Sequence, residues 1–241
     1  EGEGGGADGA RGHDVTISPG PAGKPMPLEE YRRKRKAGAT PEPFGGAAAS
    51  RPHLFVCQKH AATNLHYDLR LEWKGVLLSW AVPKGPSSDP ATKRLAMHVE
   101  DHPVEYADFE GSIPEGNYGA GQVIVWDIGS YVPLEEMGMG LGKGKLLFEL
   151  RGCKLGGVWT LFKTARDEKQ WLLVKKPDAW ANDTWPEESV LSGLSLDELR
   201  GGRKRANNLA AEAEKLGAKR RAVPPEPMLA ETAEKAPEGR D

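Results

Sequence analysis

Hydrophobic and polar residues alternate with a period of two through the middle of the chain. In the run LHYDLRLEW (65–73) the odd-numbered positions are apolar, whereas the even-numbered positions carry His66, Asp68 and Arg70. Alternate residues of a strand point to opposite faces, so these three polar side chains are expected to share one face. Similar short runs rich in β-branched and aromatic residues recur along the chain: HLFVCQKH, VLLSWAV, RLAMHVE, GQVIVWDIG, KLLFELRG, VWTLFKT and WLLVKK. Turn sequences such as WKG and PEGNYGAG separate them. About eight strands with short connections predict an antiparallel all-β fold, a barrel or a sandwich.

The two ends of the chain have a different composition. Residues 1–27 are rich in Gly and Pro, and residues 181–241 are helical in pattern or charged and Pro-broken. We therefore expect a weakly ordered lead over 1–27, a folded domain over 28–180 and a helical, charged linker over 181–241.

Short stretches flank or interrupt the strand pattern. Segments 28–37, 195–202 and 207–221 are predicted helices, the second with a Ser cap and a Gly stop. The Gly-rich stretch 138–145 is predicted as a flexible loop by composition.

Charge and cysteine content exclude several classes of protein. The 241 residues carry a net charge of −2, so a nucleic-acid ligand would have to be bound by local basic clusters such as residues 32–36. The two cysteines cannot form a disulfide framework or a four-thiolate zinc site, which fits a reducing, cytoplasmic setting. No stretch has the ~20 consecutive apolar residues that a membrane span needs. The start resembles a linker or the cut edge of a longer chain rather than a signal peptide.

The strongest candidate chemistry lies in KHAATNLHYDLRLEW (59–73). His60, at the end of the preceding strand, is expected close to His66 and Asp68. Two imidazoles and a carboxylate suit a divalent transition metal and leave coordination positions open. Arg70 has a planar fork that suits a phosphate oxygen beside that metal. The alternative is ordinary surface or core histidines and an ion pair between Asp68 and Arg70.

A second polar cluster lies in RLAMHVEDHPVEY (94–106). Arg94, His98 and His102 fall on even positions, and Tyr106 follows a Pro turn. Such residues can bind a phosphate and donate protons to its oxygens, or they are polar strand residues near a turn. Lys84 lies in a Pro-flanked loop, where solvent exposure is the simpler interpretation. The glycines of residues 109–123 predict a wide turn between strands rather than a dinucleotide-binding loop.

Taken in order, several motifs resemble one known family. HAATNLHYDLRLEW, LLSWAVPKGPS, KRLAMHVEDHPVEYADFEGSIPEGNYGAGQVIVWD, WTLFKT and WLLVKKPD are similar to the 3′-phosphoesterase domain of bacterial and archaeal DNA ligase D. The resemblance covers roughly residues 28–180. It implies a small antiparallel β-barrel of about eight strands with short flanking helices. The end of the chain resembles the lead-in to an ATP-dependent ligase domain, but the ligation lysine motif is absent.

The resemblance also implies an activity and a set of residues. The family uses manganese, or other divalent transition metals, to remove 3′-terminal ribonucleosides and 3′-phosphates from primer ends, leaving a 3′-hydroxyl. His60, His66 and Asp68 would be the metal ligands. The residues expected around the scissile phosphate are Arg35, Arg70, Lys84, Arg94, His102 and Tyr106, with Glu42 and Gln58 nearby. His102, Arg70, Arg94 and Tyr106 would be the catalytic residues among them.

The implied partners are those of end-joining repair. They are DNA or RNA-tipped primer 3′ ends, ligase and polymerase domains of the same protein, and Ku, in the cytoplasm with the nucleoid and away from membranes. One alternative is a non-catalytic β-barrel that docks a DNA end or a ligase. Another is an iron oxygenase, because two histidines and a carboxylate also form an iron facial triad.

Overall fold

Ten strands form one antiparallel sheet in the computed structural model, which describes residues 28–46 and 51–202. The strands are β1 (Leu54–Ala61), β2 (Leu65–Trp73), β3 (Val76–Val82), β4 (Arg94–His98), β5 (His102–Pro103), β6 (Gly111–Ile113), β7 (Gly121–Pro133), β8 (Lys145–Gly152), β9 (Gly156–Lys163) and β10 (Gln170–Lys175). Eight of them close into a ring in the order β1-β2-β3-β4-β10-β9-β8-β7, because β7 also pairs with β1. The short strands β5 and β6 add to β3 and β7 outside this ring. The predicted all-β barrel of about eight strands is confirmed.

The connection between β2 and β3 shows how local sequence sets the register. Lys74 and Gly75 both have positive φ angles, 52° and 81°, as a two-residue hairpin turn requires. This tight turn pairs Trp73 with Val76 and aligns Arg70 with Ser79 further along the hairpin.

Within the described residues, three short α-helices lie at the edges of the barrel: α1 (Glu29–Arg33), α2 (Met137–Lys143) and α3 (Leu196–Arg200). The predicted helix at 28–37 is therefore shorter than expected, and the one at 195–202 is confirmed with a complete capping box at Ser195 and Glu198. The predicted helix at 207–221 and the predicted lead at 1–27 lie outside the described residues.

Helix α2 corrects the prediction of a flexible loop at 138–145. The Glu136 carboxylate accepts hydrogen bonds from the backbone N–H groups of Gly138 and Met139, which caps the first turn. The side chain of Met137 is buried in the barrel core. Capping and one apolar anchor outweigh the low helix propensity of the glycines.

Two hydrophobic cores lie on opposite faces of the barrel wall. The interior core includes Leu69, Trp80 and Leu173. The second core lies outside the wall, under α1 and a 3₁₀ helix over Val104–Asp108, and includes Tyr31 and Tyr106. The outer face of β1 and β2, which adjoins this second core, carries the polar residues of interest.

The segment that follows β10 packs against the barrel. The Trp126 indole N–H donates to the Pro186 carbonyl at 3.0 Å, and Val190 N–H donates to the Val125 carbonyl at 3.0 Å. Val190 and Leu191 pack against the outer core. We call residues 185–200 the strap.

None of the described helices has the length and apolarity of a membrane-spanning helix.

Candidate active site

His60, His66 and Asp68 converge on one point of the outer barrel face. His60 and His66 are cross-strand partners at the end of the β1–β2 hairpin, and their ring centroids lie 4.8 Å apart. Asp68 Oδ2 lies 3.9 Å from His60 Nδ1 and 3.7 Å from His66 Nε2. One ligand atom from each residue falls within 4.8 Å of the others. The structure thus brings together the three residues that the sequence proposed as metal ligands.

The hydrogen bonds of the two imidazoles leave the right nitrogens free to bind a metal. His60 Nε2 donates to the Gly119 carbonyl at 2.9 Å, and His66 Nδ1 donates to the Asn64 carbonyl at 2.9 Å. A carbonyl can only accept, so the lone pairs lie on His60 Nδ1 and His66 Nε2, the two nitrogens nearest Asp68. Metal-binding histidines are commonly oriented in this way by a backbone carbonyl. The donor set fits a divalent transition metal.

Burial also favours neutral histidine at this point. Burial, together with His66 and Arg70 nearby, lowers the pKa of His60 more than the Asp68 carboxylate raises it. Metal ligands must be unprotonated, so a lowered pKa keeps His60 in the state that binds metal.

Arg70 is anchored rather than exposed. Its Nη2 donates to Asp68 Oδ2 at 3.0 Å, its Nε to Gln58 Oε1 at 2.9 Å and its Nη1 to Ser79 Oγ at 2.7 Å. The side chain is 3% exposed, and the guanidinium lies 5.0 Å from the Tyr106 ring centroid. The predicted ion pair and the predicted positive charge beside the metal ligands are therefore both present. Two of the five N–H groups of Arg70 have no bond among these contacts and can face a phosphate.

Gln58 connects this anchor to the 3₁₀ helix. Its amide nitrogen donates to the carbonyls of Tyr106 and Phe109, each at 3.0 Å. The residue has no exposed surface, so it orients Arg70 and does not face a substrate.

A second group of charges forms around Arg35, which follows α1. Arg35 Nε donates to Glu42 Oε1 at 3.1 Å, and Nη1 donates to Glu100 Oε1 at 3.2 Å. Its guanidinium lies 4.0 Å from the Tyr31 ring centroid. The amino-terminal basic segment therefore folds onto the barrel at Glu100 and His102, and a role of Arg35 at a phosphate stays a prediction.

His102 and Tyr106 complete this group. His102 Nδ1 donates to the Glu100 carbonyl at 2.9 Å, so Nε2 is the acceptor that faces Arg35 Nη2 at 3.4 Å. Tyr106 donates its hydroxyl proton to Glu42 Oε1 at 3.0 Å. Both side chains are buried, and their ring centroids lie 4.9 Å apart.

Burial decides the protonation of both residues. It lowers the pKa of His102 well below the ordinary value, and the nearby guanidinium groups of Arg70 and Arg35 lower it further. It raises the pKa of Tyr106 well above the ordinary value. His102 is therefore a neutral imidazole and Tyr106 a neutral phenol at neutral pH, so the resting state of His102 is an acceptor rather than a proton donor.

Arg94 and Lys84, the two other basic residues predicted at the phosphate site, do not take part in the contacts described above. Arg94 pairs with Leu173 of the interior core, so strand alternation points it to the inside of the barrel wall, opposite to Asp68. Lys84 is exposed in the turn after β3, at the end of the hairpin that holds His66. Their roles at the phosphate stay predictions, and the geometry supports Lys84 more than Arg94.

Arg94, His98 and His102 fall on even positions of the sequence, but His102 does not lie on the same face of the sheet as the other two. Strand β4 ends at His98, whose ring stacks on Trp80 of the interior core at 5.1 Å, and β5 begins at His102 on the outer face. Residues 99–101 break the strand, so the two-residue period does not continue across them.

Sequence reasoning missed three parts of the site. Ser79 could have been found from the sequence, because it is the one hydroxyl residue in the otherwise apolar run VLLSWAV. Glu100 pairs with both Arg35 and Lys34, and the Gly119 carbonyl orients His60. Neither of these has a local signal, because both partners come from distant parts of the chain.

Comparison with known proteins agrees with this geometry. Residues 58–163 match the family described as the DNA ligase D 3′-phosphoesterase domain. The chain is 54% identical over 182 residues to the multifunctional non-homologous end joining protein LigD of Pseudomonas aeruginosa, covering 70% of this chain and 22% of that protein. It is 46% identical over 147 residues to the multifunctional non-homologous end joining DNA repair protein LigD of Mycobacterium tuberculosis, covering 60% and 19%. A LigD of Mycolicibacterium smegmatis is 44% identical over 159 residues, covering 63% and 21%.

The chain spans about a fifth of the length of these relatives. The matched residues 58–163 include the three metal-ligand candidates, Arg70, His102 and Tyr106. The barrel of this chain is a 3′-phosphoesterase domain of the DNA ligase D family.

Proposed function

We propose that this domain is a manganese-dependent phosphoesterase that processes DNA 3′ ends. It would remove 3′-terminal ribonucleosides and 3′-phosphates and leave a 3′-hydroxyl for end-joining repair. The observation that carries the proposal is the convergence of His60 Nδ1, His66 Nε2 and Asp68 Oδ2, with both imidazoles held in the metal-binding tautomer. Family membership supplies the substrate class.

The charges of the site explain why a metal would be required. Arg70 is balanced by Asp68, and Arg35 and Lys34 are balanced by Glu42 and Glu100. The protein groups alone therefore carry no net charge to hold a phosphate dianion. A bound divalent metal supplies the missing positive charge and polarises a phosphoryl oxygen.

The remaining residues bind and orient the substrate. Asp68 is held in place by Arg70, whose spare N–H groups would contact a phosphoryl oxygen. Arg35 lies beside His102 Nε2, so a phosphate entering between them would take one hydrogen bond from the guanidinium. In that position His102, neutral at rest, accepts a proton before it can donate one. Manganese suits the nitrogen and oxygen donors, although other divalent transition metals fit them as well.

The proposed partners are those that membership of the DNA ligase D family leads us to expect. They are primer 3′ ends of DNA or RNA-tipped DNA, the ligase and polymerase domains of a longer protein, and Ku. A non-catalytic docking barrel would not need two imidazoles held with their lone pairs toward a carboxylate, so the geometry favours an enzyme.

A primer–template assay tests the proposal. The primer carries one 3′-terminal ribonucleotide or a 3′-phosphate, and gel separation resolves ribonucleoside removal from phosphate removal. We expect both steps with manganese and neither with a chelator. Asp68→Asn keeps the hydrogen bond to Arg70 but weakens the metal ligand, and should lower the rate by at least about 10- to 100-fold, the loss typical when a group that only supports a metal ligand is changed.

The control is Asp167→Asn, which alters an exposed carboxylate in the turn before β10. It should retain the activity of the parent protein. Metal-independent activity, or full activity of Asp68→Asn at limiting manganese, would contradict the proposal.

A further inference from the structure

The turn at residues 114–120 forms one wall of an open cleft beside the candidate active site. The opposite wall comes from the segment after α1, with the basic residues Lys34, Arg35 and Lys36 and the carboxylate of Glu42. The cleft has a volume of about 450 Å³, including the part open to solvent. Both segments that form the walls of the cleft also contact the candidate site: Arg35 contacts His102, and the Gly119 carbonyl contacts His60.

Tyr118 is the one exposed aromatic side chain in this cleft. It is 49% exposed, and its ring centroid lies 4.9 Å from Lys34 Nζ and 5.2 Å from the Arg35 guanidinium. Lys34 Nζ also donates to its hydroxyl at 3.4 Å. Two cations therefore hold the ring next to the residues that would bind a phosphate.

The turn is well suited to hold this ring in a fixed position. Asn117 N–H donates to the Pro114 carbonyl at 3.3 Å, and Ala120 N–H donates to the Asn117 carbonyl at 3.2 Å. Gly116 and Gly119 have φ angles of +85° and +75°, which other residues rarely adopt. A side chain at Gly116 would meet nothing within 4 Å, so the turn faces open space at this position.

We propose that Tyr118 is a stacking platform for the base of the 3′-terminal nucleotide of the primer. The inference rests on the proposed function, which places the terminal phosphate between the metal-ligand residues and Arg35. The base attached to that terminal nucleotide then lies within reach of the neighbouring aromatic ring. Stacking on an aromatic side chain is tolerant of sequence, which suits an enzyme that must process any 3′ end.

The test compares a primer with a 3′-phosphate on a normal terminal nucleotide with one whose terminal nucleotide is abasic. For the parent protein, removal of the base should raise KM. Tyr118→Ala should raise KM for the normal end by about 10- to 100-fold, the range expected for loss of one stacked base, with little change in kcat. On the abasic end, Tyr118→Ala should behave like the parent, and Tyr118→Phe should do so on both ends.

A binding experiment separates this inference from the proposed activity. Fluorescence anisotropy with a 3′-hydroxyl primer in chelator measures end binding without catalysis, and Tyr118→Ala should weaken it by a similar factor. Trp180→Ala is the matched control, since it removes another half-exposed aromatic side chain, one that packs over Gly156.

Three results would overturn the inference: unchanged KM and affinity in Tyr118→Ala, equal losses on the normal and abasic ends, or loss of activity in Tyr118→Phe. Equal losses would mean that the ring only supports Arg35 and Lys34. If the parent protein released no phosphate from either end yet showed the binding difference, the proposed function would fail while the stacking site remained.

Discussion

At the scale of single residues, the polar side chains of the candidate site are held by defined partners. Arg70 is held by three acceptors, and each candidate metal-binding imidazole is turned by one backbone carbonyl. Burial has a clear consequence at His102, since a buried imidazole between two guanidinium groups resists protonation. Burial of this imidazole also makes the fold sensitive to acid.

This sensitivity gives a prediction for stability against pH. The pKa of His102 is lowered in the folded state, whereas the unfolded chain titrates near the ordinary value of about 6.5. Below that pH the unfolded chain binds a proton that the folded chain does not, so stability is complete above it and falls as the pH is lowered. The loss from His102 should approach about 1.4 kcal/mol per pH unit until the folded pKa is reached.

Urea unfolding between pH 5 and pH 7.5 measures this slope. His102→Asn should flatten it, although His60, whose pKa is also lowered, keeps part of the dependence. His53→Asn is the control, because His53 is exposed and its backbone φ of 58° is one that Asn adopts readily. An unchanged slope in His102→Asn would contradict the assignment of a buried neutral imidazole.

At the scale of elements, the strands follow their sequence pattern more closely than the helices do. Strands β2, β3 and β8 have the predicted limits, and most of their apolar residues lie in a hydrophobic core, whereas Leu65 at the start of β2 is 49% exposed. Helix α2 shows the opposite case. Its composition predicted a loop, but the Glu136 cap and the buried Met137 side chain stabilise a helix.

Two glycines of α2 provide a matched test of that helix. A side chain at Gly142 would meet nothing within 4 Å, whereas one at Gly140 would lie 2.7 Å from the Lys145 carbonyl oxygen. Gly142→Ala should stabilise the protein by about 0.5–1 kcal/mol, because it lowers the entropy of the unfolded chain without strain. Gly140→Ala should destabilise it.

Thermal unfolding of both variants measures the effect. If residues 137–143 were a loop, the two substitutions would not shift the unfolding temperature in opposite directions. Destabilisation by Gly142→Ala would contradict the helix.

At the scale of the whole molecule, the strap extends the folded unit beyond the predicted domain limit. Lys154 Nζ donates to the Pro186 carbonyl at 2.8 Å, Lys59 pairs with Glu187, and Ser189 bonds to Glu110. These contacts bind the strap to three separate parts of the barrel. The limit at residue 180 stays a prediction, and the contacts suggest a limit after α3.

Truncation tests where the folded unit ends. A chain ending at residue 202 should unfold at nearly the same urea concentration as the full chain. A chain ending at residue 180 should lose about 3 kcal/mol or more, since removal of Val190 and Leu191 exposes the outer core.

Circular dichroism during urea unfolding measures both midpoints, and the chain ending at 202 serves as the control. If the two truncated chains were equally stable, the folded domain would end at residue 180, as predicted from the sequence.

The sequence alone determined the barrel strands, the face of β2 that carries His66, Asp68 and Arg70, and the family. Strand alternation and hairpin turns are local properties, so a pattern of a few residues is enough to predict them. The family motifs are local as well.

Only the tertiary structure decided which distant groups meet. Closure of β7 onto β1 and the position of the 114–120 turn bring the Gly119 carbonyl to His60. The break after His98 separates Arg94 from His102 and places them on opposite faces of the wall. Folding of the α1 segment onto the barrel joins Arg35 to Glu100. These contacts depend on long-range packing and burial, and no local period of the sequence encodes them.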